Sequence, residues 1–241
     1  MKLKTFCVPY IIDERMNFAS DYLVKCGYKL VDNTDDADFV VLPIPAKDYM
    51  FKNLEGKIIF YGAGDFRGFD YNKLEAFLLE NAYLTSEGAI AVLKENSETS
   101  IYNSSILITG YGRIAQALHK ALAAMGARVT VCCRSDKDKT AAHFNGADVI
   151  DFSELKNKND FDVIFNTVPH LVFTKAELDM VNENTLLIDL ASFPGGVDTL
   201  YAKAKEIKYI NGKKLPSKYS KISAGELIGK TVEKIIKEDF S

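Results

Sequence analysis

Residues 105–115 read SILITGYGRIA, and this stretch decides the fold that the sequence predicts. The apolar run 105–109 is typical of a buried strand, and it leads directly into the pattern GxGxxA. Apolar side chains then recur at helical spacing from Ile114 to Met125 and are followed by Gly126, which predicts an amphipathic helix closed by a glycine. A strand, a glycine-rich turn and a helix in this order are typical of a dinucleotide-binding unit.

On either side of this stretch, short apolar strands alternate with helical periodicity, as in parallel α/β units. Six strands are predicted between residues 105 and 210, the number found in a complete doubly wound nucleotide-binding domain. Three more strands are predicted in the first 60 residues, with helices at about 14–26 and 71–81. We therefore predict an α/β fold with two doubly wound parallel-sheet domains, of which the C-terminal one is a Rossmann domain.

Helices predicted at 86–95 and from about 224 onward are expected to join the two domains, with a cleft between them. The expected domains are 1–84, a flavodoxin-like substrate domain, 85–222, an NADP-binding Rossmann domain with its linking helix, and 223–241, a C-terminal helix that returns toward the first domain.

Composition excludes several classes of protein. The 241 residues are 47% hydrophobic and 26% charged with a net charge of -3, so the cationic excess of a duplex nucleic-acid binder is absent. No apolar run approaches the roughly 20 residues that cross a bilayer, and we expect a cytoplasmic protein without nucleic-acid or membrane partners. The four cysteines show no CxxC spacing and the three histidines are far apart, so no metal site is expected.

The glycine turn is predicted to bind the pyrophosphate of a dinucleotide. Gly110 permits a tight turn, and the missing side chain of Gly112 lets a phosphate approach the backbone. The N–H groups at the start of the helix and its positive end then attract the anion. The predicted cofactor contacts here are Gly110, Tyr111, Gly112, Arg113 and Ile114.

The end of the second strand of this domain bears on the choice between NADP and NAD. An NAD site usually has an acidic residue there, which accepts a hydrogen bond from the ribose 2′-OH. This chain instead has Arg134 and Ser135. Because a guanidinium can bind a 2′-phosphate through two hydrogen bonds, we predict NADP as the cofactor, with NAD as the alternative.

Two later loops follow the fourth and fifth strands, at the edge of the sheet where ligands bind. In the first loop, NTVPH, the predicted cofactor contacts are Thr167, Val168 and Pro169, and His170 is a candidate proton acceptor.

The second loop, LASFPGGVD, spans residues 190–198. Ala191 is a predicted cofactor contact, and Ser192 is a candidate catalytic residue. Gly195 and Gly196 offer a backbone that can approach a flat substrate ring.

Taken together, these motifs resemble the A subunit of dipicolinate synthase. That family reads T-x-E-G, G-x-G-R, A-R-S, N-T-I-P and D-L-A-S-x-P-G-G-x-D in this order. The corresponding segments here are TSEG at 85–88, GYGR at 110–113, CRS at 133–135, NTVP at 166–169 and DLASFPGGVD at 189–198. The resemblance extends over about 83–237, and His170 departs from it because the family has a small or apolar residue there.

The resemblance implies a reaction. Members of this family are taken to oxidise a dihydrodipicolinate-type precursor to dipicolinate during sporulation, with NADP as hydride acceptor and with the smaller, flavoprotein-like B subunit of dipicolinate synthase as partner. The protein would then work in the mother cell as a homo-oligomer on a small dicarboxylate. The candidate groups for the two carboxylates are Arg15 and Arg67, with Thr85 and Ser86 as hydroxyl donors at a helix N-terminus.

Other functions stay open at this point. A D-2-hydroxyacid dehydrogenase also often has a GxGRIG turn, but it needs a late histidine, and no histidine follows His170. The NTVP segment also suggests a folate- or shikimate-type NADP dehydrogenase. A third alternative is a non-catalytic NADP-binding partner or sensor protein, because the sequence shows no committed acid or base.

Overall fold

Parallel strands alone build both sheets of the described chain, residues 3–240 of this computed structural model. The strands of the first sheet are β1 (Thr5–Cys7), β2 (Lys29–Leu30), β3 (Phe39–Val41), β4 (Ile58–Tyr61) and β5 (Phe69–Asp70). Their order, β2-β1-β3-β4-β5, is the doubly wound order of flavodoxin-like domains. This sheet belongs to a first unit formed by the residues up to Leu84 and those from Pro216 on.

The second unit, Thr85–Leu215, contains a six-stranded sheet. Its strands are β6 (Ser105–Thr109), β7 (Arg128–Cys132), β8 (Asp148–Ile150), β9 (Val163–Asn166), β10 (Leu186–Asp189) and β11 (Lys208–Asn211). They lie in the order β11-β10-β9-β6-β7-β8, so the chain starts in the middle of the sheet and winds outward on both sides. This is the Rossmann order, and the predicted fold class is confirmed.

Helices connect the strands. They are α1 (Arg15–Lys25), α2 (Glu75–Asn96), α3 (Arg113–Ala124), α4 (Asp136–Phe144), α5 (Phe152–Leu155), α6 (Lys175–Leu178), α7 (Thr199–Ala204), α8 (Leu215–Tyr219) and α9 (Lys221–Asp239). Short 3₁₀ helices occur at Asp48–Phe51 and Tyr71–Lys73. No helix in the described part of the chain combines the length and the apolar content needed to cross a membrane.

Helix α9 completes the core of the first unit. Its side chains Val232 and Ile235 are buried with Phe6, Phe39 and Phe60 of the five-stranded sheet. It also packs closely on α1, because a Cβ on Gly229 would lie only 2.9 Å from the carbonyl oxygen of Ala19. The last helix of the chain therefore belongs to the same packed unit as the first 84 residues.

One helix replaces two that the sequence predicts. The segments 71–81 and 86–95 form a single helix, α2, after the 3₁₀ turn at Tyr71–Lys73. Thr85 and Ser86 lie in its middle and are buried, so the prediction that they stand at a helix N-terminus is wrong. The backbone N–H groups of an interior turn are used within the helix and are not free to bind an anion.

Candidate functional site

The turn between β6 and α3 has the backbone of a phosphate-binding loop. Gly110 has a φ of 82°, in the left-handed region that favours glycine, and Gly112 is the N-cap of α3. A Cβ on Gly110 would lie 2.8 Å from Oγ1 of Thr167 and 3.0 Å from Cγ2 of Val168. The first glycine therefore lets the turn pass close beside the loop that follows β9.

The space next to Gly112 is open. A Cβ built on this residue would meet no heavy atom within 4 Å, so a ligand can reach the backbone there. The first turn of α3, which begins at the exposed Arg113 and the half-buried Ile114, contains no acidic residue. Since a helix N-terminus presents unpaired N–H groups and the positive end of its dipole, the turn fits a pyrophosphate.

The side chain of Tyr111 points away from this open space. Its ring is 3% exposed, and its hydroxyl lies 3.0 Å from Nδ1 of His119 and accepts a hydrogen bond of 3.2 Å from Nδ2 of Asn145. Burial lowers the pKa of His119, which favours a neutral imidazole that accepts from the tyrosine hydroxyl. A contact between Tyr111 and the cofactor is therefore limited to the backbone. The buried ring stabilises the turn through its hydrogen bonds to His119 and Asn145.

A cavity of about 320 Å³ lies beside the end of β7. This is within the usual range for small-molecule pockets. Arg134, exposed just after β7, lines the cavity together with Val168 and His170 from the loop after β9. Further lining residues are Phe152, Leu155, Leu171, Val172, Thr174 and Glu177. Two predicted cofactor contacts, Arg134 and Val168, therefore share one pocket.

Ser135 stabilises the start of α4, the helix that follows β7. It is the N-cap of α4, and its hydroxyl accepts a hydrogen bond of 3.1 Å from the backbone N–H of Asp138. A serine at this position stabilises the start of a helix. Its side chain is exposed, so the hydroxyl is accessible from solvent while it caps the helix.

A buried polar network joins the carboxyl ends of three neighbouring strands. Oγ1 of Thr109 at the end of β6 donates to Oδ1 of Asn166 at 2.6 Å, and Nδ2 of Asn166 at the end of β9 donates to Oδ1 of Asp189 at 2.7 Å. All three side chains are at most 2% exposed. Buried polar groups that are all satisfied in this way hold their surroundings in one arrangement.

The same network fixes the loop after β10. The carboxylate of Asp189 accepts hydrogen bonds from the backbone N–H groups of Ala191 and Gly196, both at 3.2 Å. A Cβ on Gly196 would collide with the side-chain amide of Asn166. The carbonyl of Gly196 accepts from the N–H groups of Val172 and Phe173, both at 2.9 Å. The loops after β9 and β10 are thus bound to each other.

The structure assembles most of the predicted site residues at one edge of the six-stranded sheet. Thr167 contacts the glycine turn, since its hydroxyl donates to the carbonyl of Thr109 at 2.7 Å, and Pro169 follows it on the surface. Ala191 is buried at the start of the second loop and Ser192 is exposed on it. Parallel strands bring their carboxyl ends to the same edge, which explains why these distant segments meet.

The arginines proposed for the substrate lie in the first unit and already have partners. The guanidinium of Arg15 binds Asp13 through two hydrogen bonds, Nε to Oδ1 at 2.9 Å and Nη2 to Oδ2 at 2.7 Å, and also donates to the carbonyl of Ile44. The guanidinium of Arg67 donates to the carbonyl of Leu54. A substrate carboxylate would have to compete with Asp13 for Arg15.

Four residues at this edge had no predicted role, namely Thr109, Asn166, Asp189 and Lys213. Each lies at or just beyond the end of a strand in the six-stranded sheet, where side chains converge on bound ligands. Polar residues that end otherwise apolar strands, as in SILIT, VIFN and LLID, were the available signal. Their mutual contacts could not be found from the sequence because they depend on strand order.

The described residues show neither a cluster of metal ligands nor a thiolate at the end of β7. Within residues 3–240, no group of three or more His, Cys, Asp or Glu side chains could hold a metal ion. Burial raises the pKa of Cys132 to about 12 and also raises that of Cys133, so both thiols are protonated near neutral pH.

Known proteins resemble this chain in sequence and in fold. Residues 78–192 match the family model for the NAD-binding domain of D-isomer specific 2-hydroxyacid dehydrogenases. The A subunit of dipicolinate synthase from Bacillus subtilis (strain 168) is 30% identical over 159 residues, which are 66% of this chain and 54% of that protein. The matched sequence thus spans about half the length of this curated relative.

Solved structures extend the similarity to the whole fold. The crystal structure of the A subunit of dipicolinate synthase from Bacillus halodurans superposes with a TM-score of 0.86 at 20% identity and covers 97% of both chains. The corresponding Bacillus subtilis structure also gives 0.86, at 22% identity, and covers 99% of this chain and 97% of that one. The similarity to the A subunit of dipicolinate synthase that the motifs indicate is therefore confirmed, and residues 78–192 are similar to the NAD-binding domain of D-isomer specific 2-hydroxyacid dehydrogenases.

Proposed function

We propose that this protein is an NADP-dependent oxidoreductase that oxidises a dihydrodipicolinate-type precursor to dipicolinate. The observation that carries the proposal is the open, acid-free turn at Gly112 on the same sheet edge as Arg134 and the loop 190–196. The sequence and fold similarity to the A subunit of dipicolinate synthase supports the substrate class. The reaction consumes the dihydro precursor and NADP and yields dipicolinate, NADPH and a proton.

In this proposal the dinucleotide crosses the carboxyl edge of the six-stranded sheet. Its pyrophosphate binds the N–H groups next to Gly112, and its adenosine end enters the cavity beside Arg134. The two halves of a doubly wound sheet each bind one mononucleotide. Ala191 and Ser192, which follow β10, would then hold the nicotinamide end.

In this arrangement, Arg134 cannot bind the 2′-phosphate while His170 accepts the proton of the reaction. Arg134 and His170 line the same cavity. If Arg134 holds the 2′-phosphate, His170 lies at the adenosine end of the cofactor, away from the reacting carbon. We therefore assign His170 a contact with the adenosine and not the role of proton acceptor.

The loop after β10 then orients the substrate. NADP supplies the hydride acceptor when bound. The half-buried Gly195 leaves its backbone accessible to a flat ring, whereas Gly196 is buried and holds the loop in place. The exposed Ser192 hydroxyl can pass the released proton from the ring to water. Because formation of an aromatic ring favours the oxidation, the protein mainly has to orient the donor carbon toward the nicotinamide.

We also propose a partner and a cellular setting. The name of the relative designates one subunit of a synthase, which supports the presence of a second subunit as partner. We expect this partner to be the flavoprotein-like B subunit. The mother cell of a sporulating bacterium is the setting that fits dipicolinate synthesis, and we expect the protein to act there as a homo-oligomer.

Arg134→Glu should reverse the cofactor preference. The substitution removes two charge-assisted hydrogen bonds, each worth about 1.5 kcal/mol, and places a carboxylate against the 2′-phosphate, so NADP should bind about 100-fold more weakly. NAD should bind equally well or better. Calorimetric titration with both nucleotides measures this, with Arg128→Glu as the control, because Arg128 is exposed at the opposite end of β7. An unchanged NADP affinity in Arg134→Glu would remove the argument for NADP.

A hydride-transfer assay tests the reaction itself. The protein is mixed with NADP and freshly prepared dihydrodipicolinate precursor, with and without the flavoprotein-like partner, and absorbance is followed at the NADPH band. We expect absorbance to rise in at least one mixture. Nucleotide binding without any hydride transfer in either mixture would favour a non-catalytic NADP-binding protein.

A second candidate function is oxidation of a D-2-hydroxy acid, favoured by the match of residues 78–192 to that family's NAD-binding domain. The same assay with NAD and D-lactate discriminates between the two. A rise of absorbance with D-lactate alone would favour this alternative over the pyridine precursor.

A further inference from the structure

Lys213 stands on a short, well-anchored segment beyond β11. The N–H of Gly212 donates to the carbonyl of Asp189 at 2.9 Å, which ties this segment to the end of β10. Gly212 is buried, and a Cβ there would lie 2.7 Å from Cδ2 of Leu190. The backbone N–H of Lys213 donates to Oδ1 of Asn211 at 3.3 Å. The main chain that carries Lys213 is thus held against the loop after β10.

The ammonium group of Lys213 faces Gly195. A Cβ built on Gly195 would lie 3.7 Å from Nζ of Lys213 and 2.9 Å from Oδ2 of Asp189. Gly195 has a φ of 96°, which also disfavours any larger residue. The missing side chain therefore lets the buried carboxylate of Asp189 pack against Gly195, with the ammonium of Lys213 beside the same residue.

Asp189 does not pair with the ammonium group of Lys213. Its oxygens accept from Nδ2 of Asn166 and from the N–H groups of Ala191 and Gly196. In the part of the chain that the structure describes, Lys213 and Asp189 form no ion pair within 4.0 Å. Lys213 is exposed, so its ammonium remains accessible to a ligand on the loop.

An anionic substrate on this loop requires such a cation. A ring laid against Gly195 would bring its carboxylates close to the negative charge of Asp189, and like charges at short range repel each other strongly outside bulk water. An ammonium between them offsets that repulsion. Within the second unit, Lys213 supplies this charge from the segment beside the loop, whereas Arg15 is already paired with Asp13.

We propose that Lys213 binds one carboxylate of a planar pyridine dicarboxylate and holds its ring over Gly195. This inference rests on the proposed function, because it takes the substrate class from it. It adds a specific recognition residue: a lysine beyond the last strand of the sheet supplies the cation that the loop LASFPGG lacks.

The test is calorimetric titration of the NADP-saturated full-length protein with dipicolinate and with picolinate, which has one carboxylate fewer. We expect Lys213→Met to weaken dipicolinate binding by roughly 10- to 100-fold, the range for a hydrogen bond to a charged group. Picolinate, whose single carboxylate can take the same place, should lose affinity by a similar factor, and Lys213→Arg should restore part of the dipicolinate affinity. The matched control is Lys208→Met, an exposed lysine at the opposite end of β11.

The outcomes separate the inference from the function on which it rests. NADP affinity and melting temperature should be unchanged in Lys213→Met, because the side chain is exposed and remote in sequence from the glycine turn. If the wild type binds dipicolinate and Lys213→Met binds it equally well, the role of Lys213 is wrong while the proposed function stands. If the wild type binds NADP but not dipicolinate, both are overturned.

Discussion

Gly112→Val should abolish binding of both pyridine nucleotides and leave the protein folded. A Cβ at this position meets no heavy atom within 4 Å, and the residue has a φ of -75°, so the larger side chain fits without strain. Its methyl groups would occupy the space in which a pyrophosphate contacts the helix N-terminus. Losing two phosphate hydrogen bonds of about 1.5 kcal/mol each predicts at least a 100-fold loss of affinity, measured by calorimetry.

A control for Gly112→Val must separate phosphate binding from helix capping. Valine is a poor N-cap, so a stability cost of about 1 kcal/mol is expected from that change alone. Asp198→Val removes the N-cap of α7, which lines neither the turn nor the cavity beside Arg134, and should cost about as much without affecting nucleotide affinity. If Gly112→Val kept wild-type affinity, the phosphate site would have to lie elsewhere, and the proposed oxidation would lose its basis.

Asp189→Ala should be the most destabilising substitution among the site residues. It would leave the buried N–H groups of Ala191 and Gly196 without their acceptor. It would also remove one of the two acceptors of Nδ2 of Asn166, which keeps only the carbonyl of Val168. Each unsatisfied buried donor costs about 1–3 kcal/mol, so we expect the free energy of unfolding to fall by about 3 kcal/mol or more. Urea denaturation monitored by circular dichroism measures this loss.

The matched control for this substitution is Asp160→Ala. Asp160 is exposed in the loop before β9, and its removal should change the free energy of unfolding by no more than about 0.5 kcal/mol. Asp189→Asn should fall between the two, because an amide oxygen can still accept from part of the network. A loss below about 1 kcal/mol in Asp189→Ala would mean that the loops after β9 and β10 are held together by other contacts.

Local patterns in the sequence were sufficient for the fold. The run SILIT, the glycine turn and the stripe beginning at Ile114 are contiguous, so strand, turn and helix could be predicted without knowledge of any distant residue. The same holds for all six strands of the second sheet. The prediction was wrong where the apolar pattern was interrupted. The hydroxyl residues Thr85 and Ser86 suggested the start of a new helix, although they lie buried in the middle of α2.

Contacts between distant segments required the tertiary structure. Asn166 and Asp189 are 23 residues apart, and they meet because β9 pairs with β10 in register. Likewise, the sequence could not tell that Arg134 and His170 share one cavity, or that the ring of Tyr111 turns inward to His119. Sequence alone predicted the six strands of the second sheet and the glycine turn between β6 and α3, because periodicity and glycine geometry are local properties. Only the folded sheet decided which polar side chains face each other, because strand order brings together residues that the chain itself keeps apart.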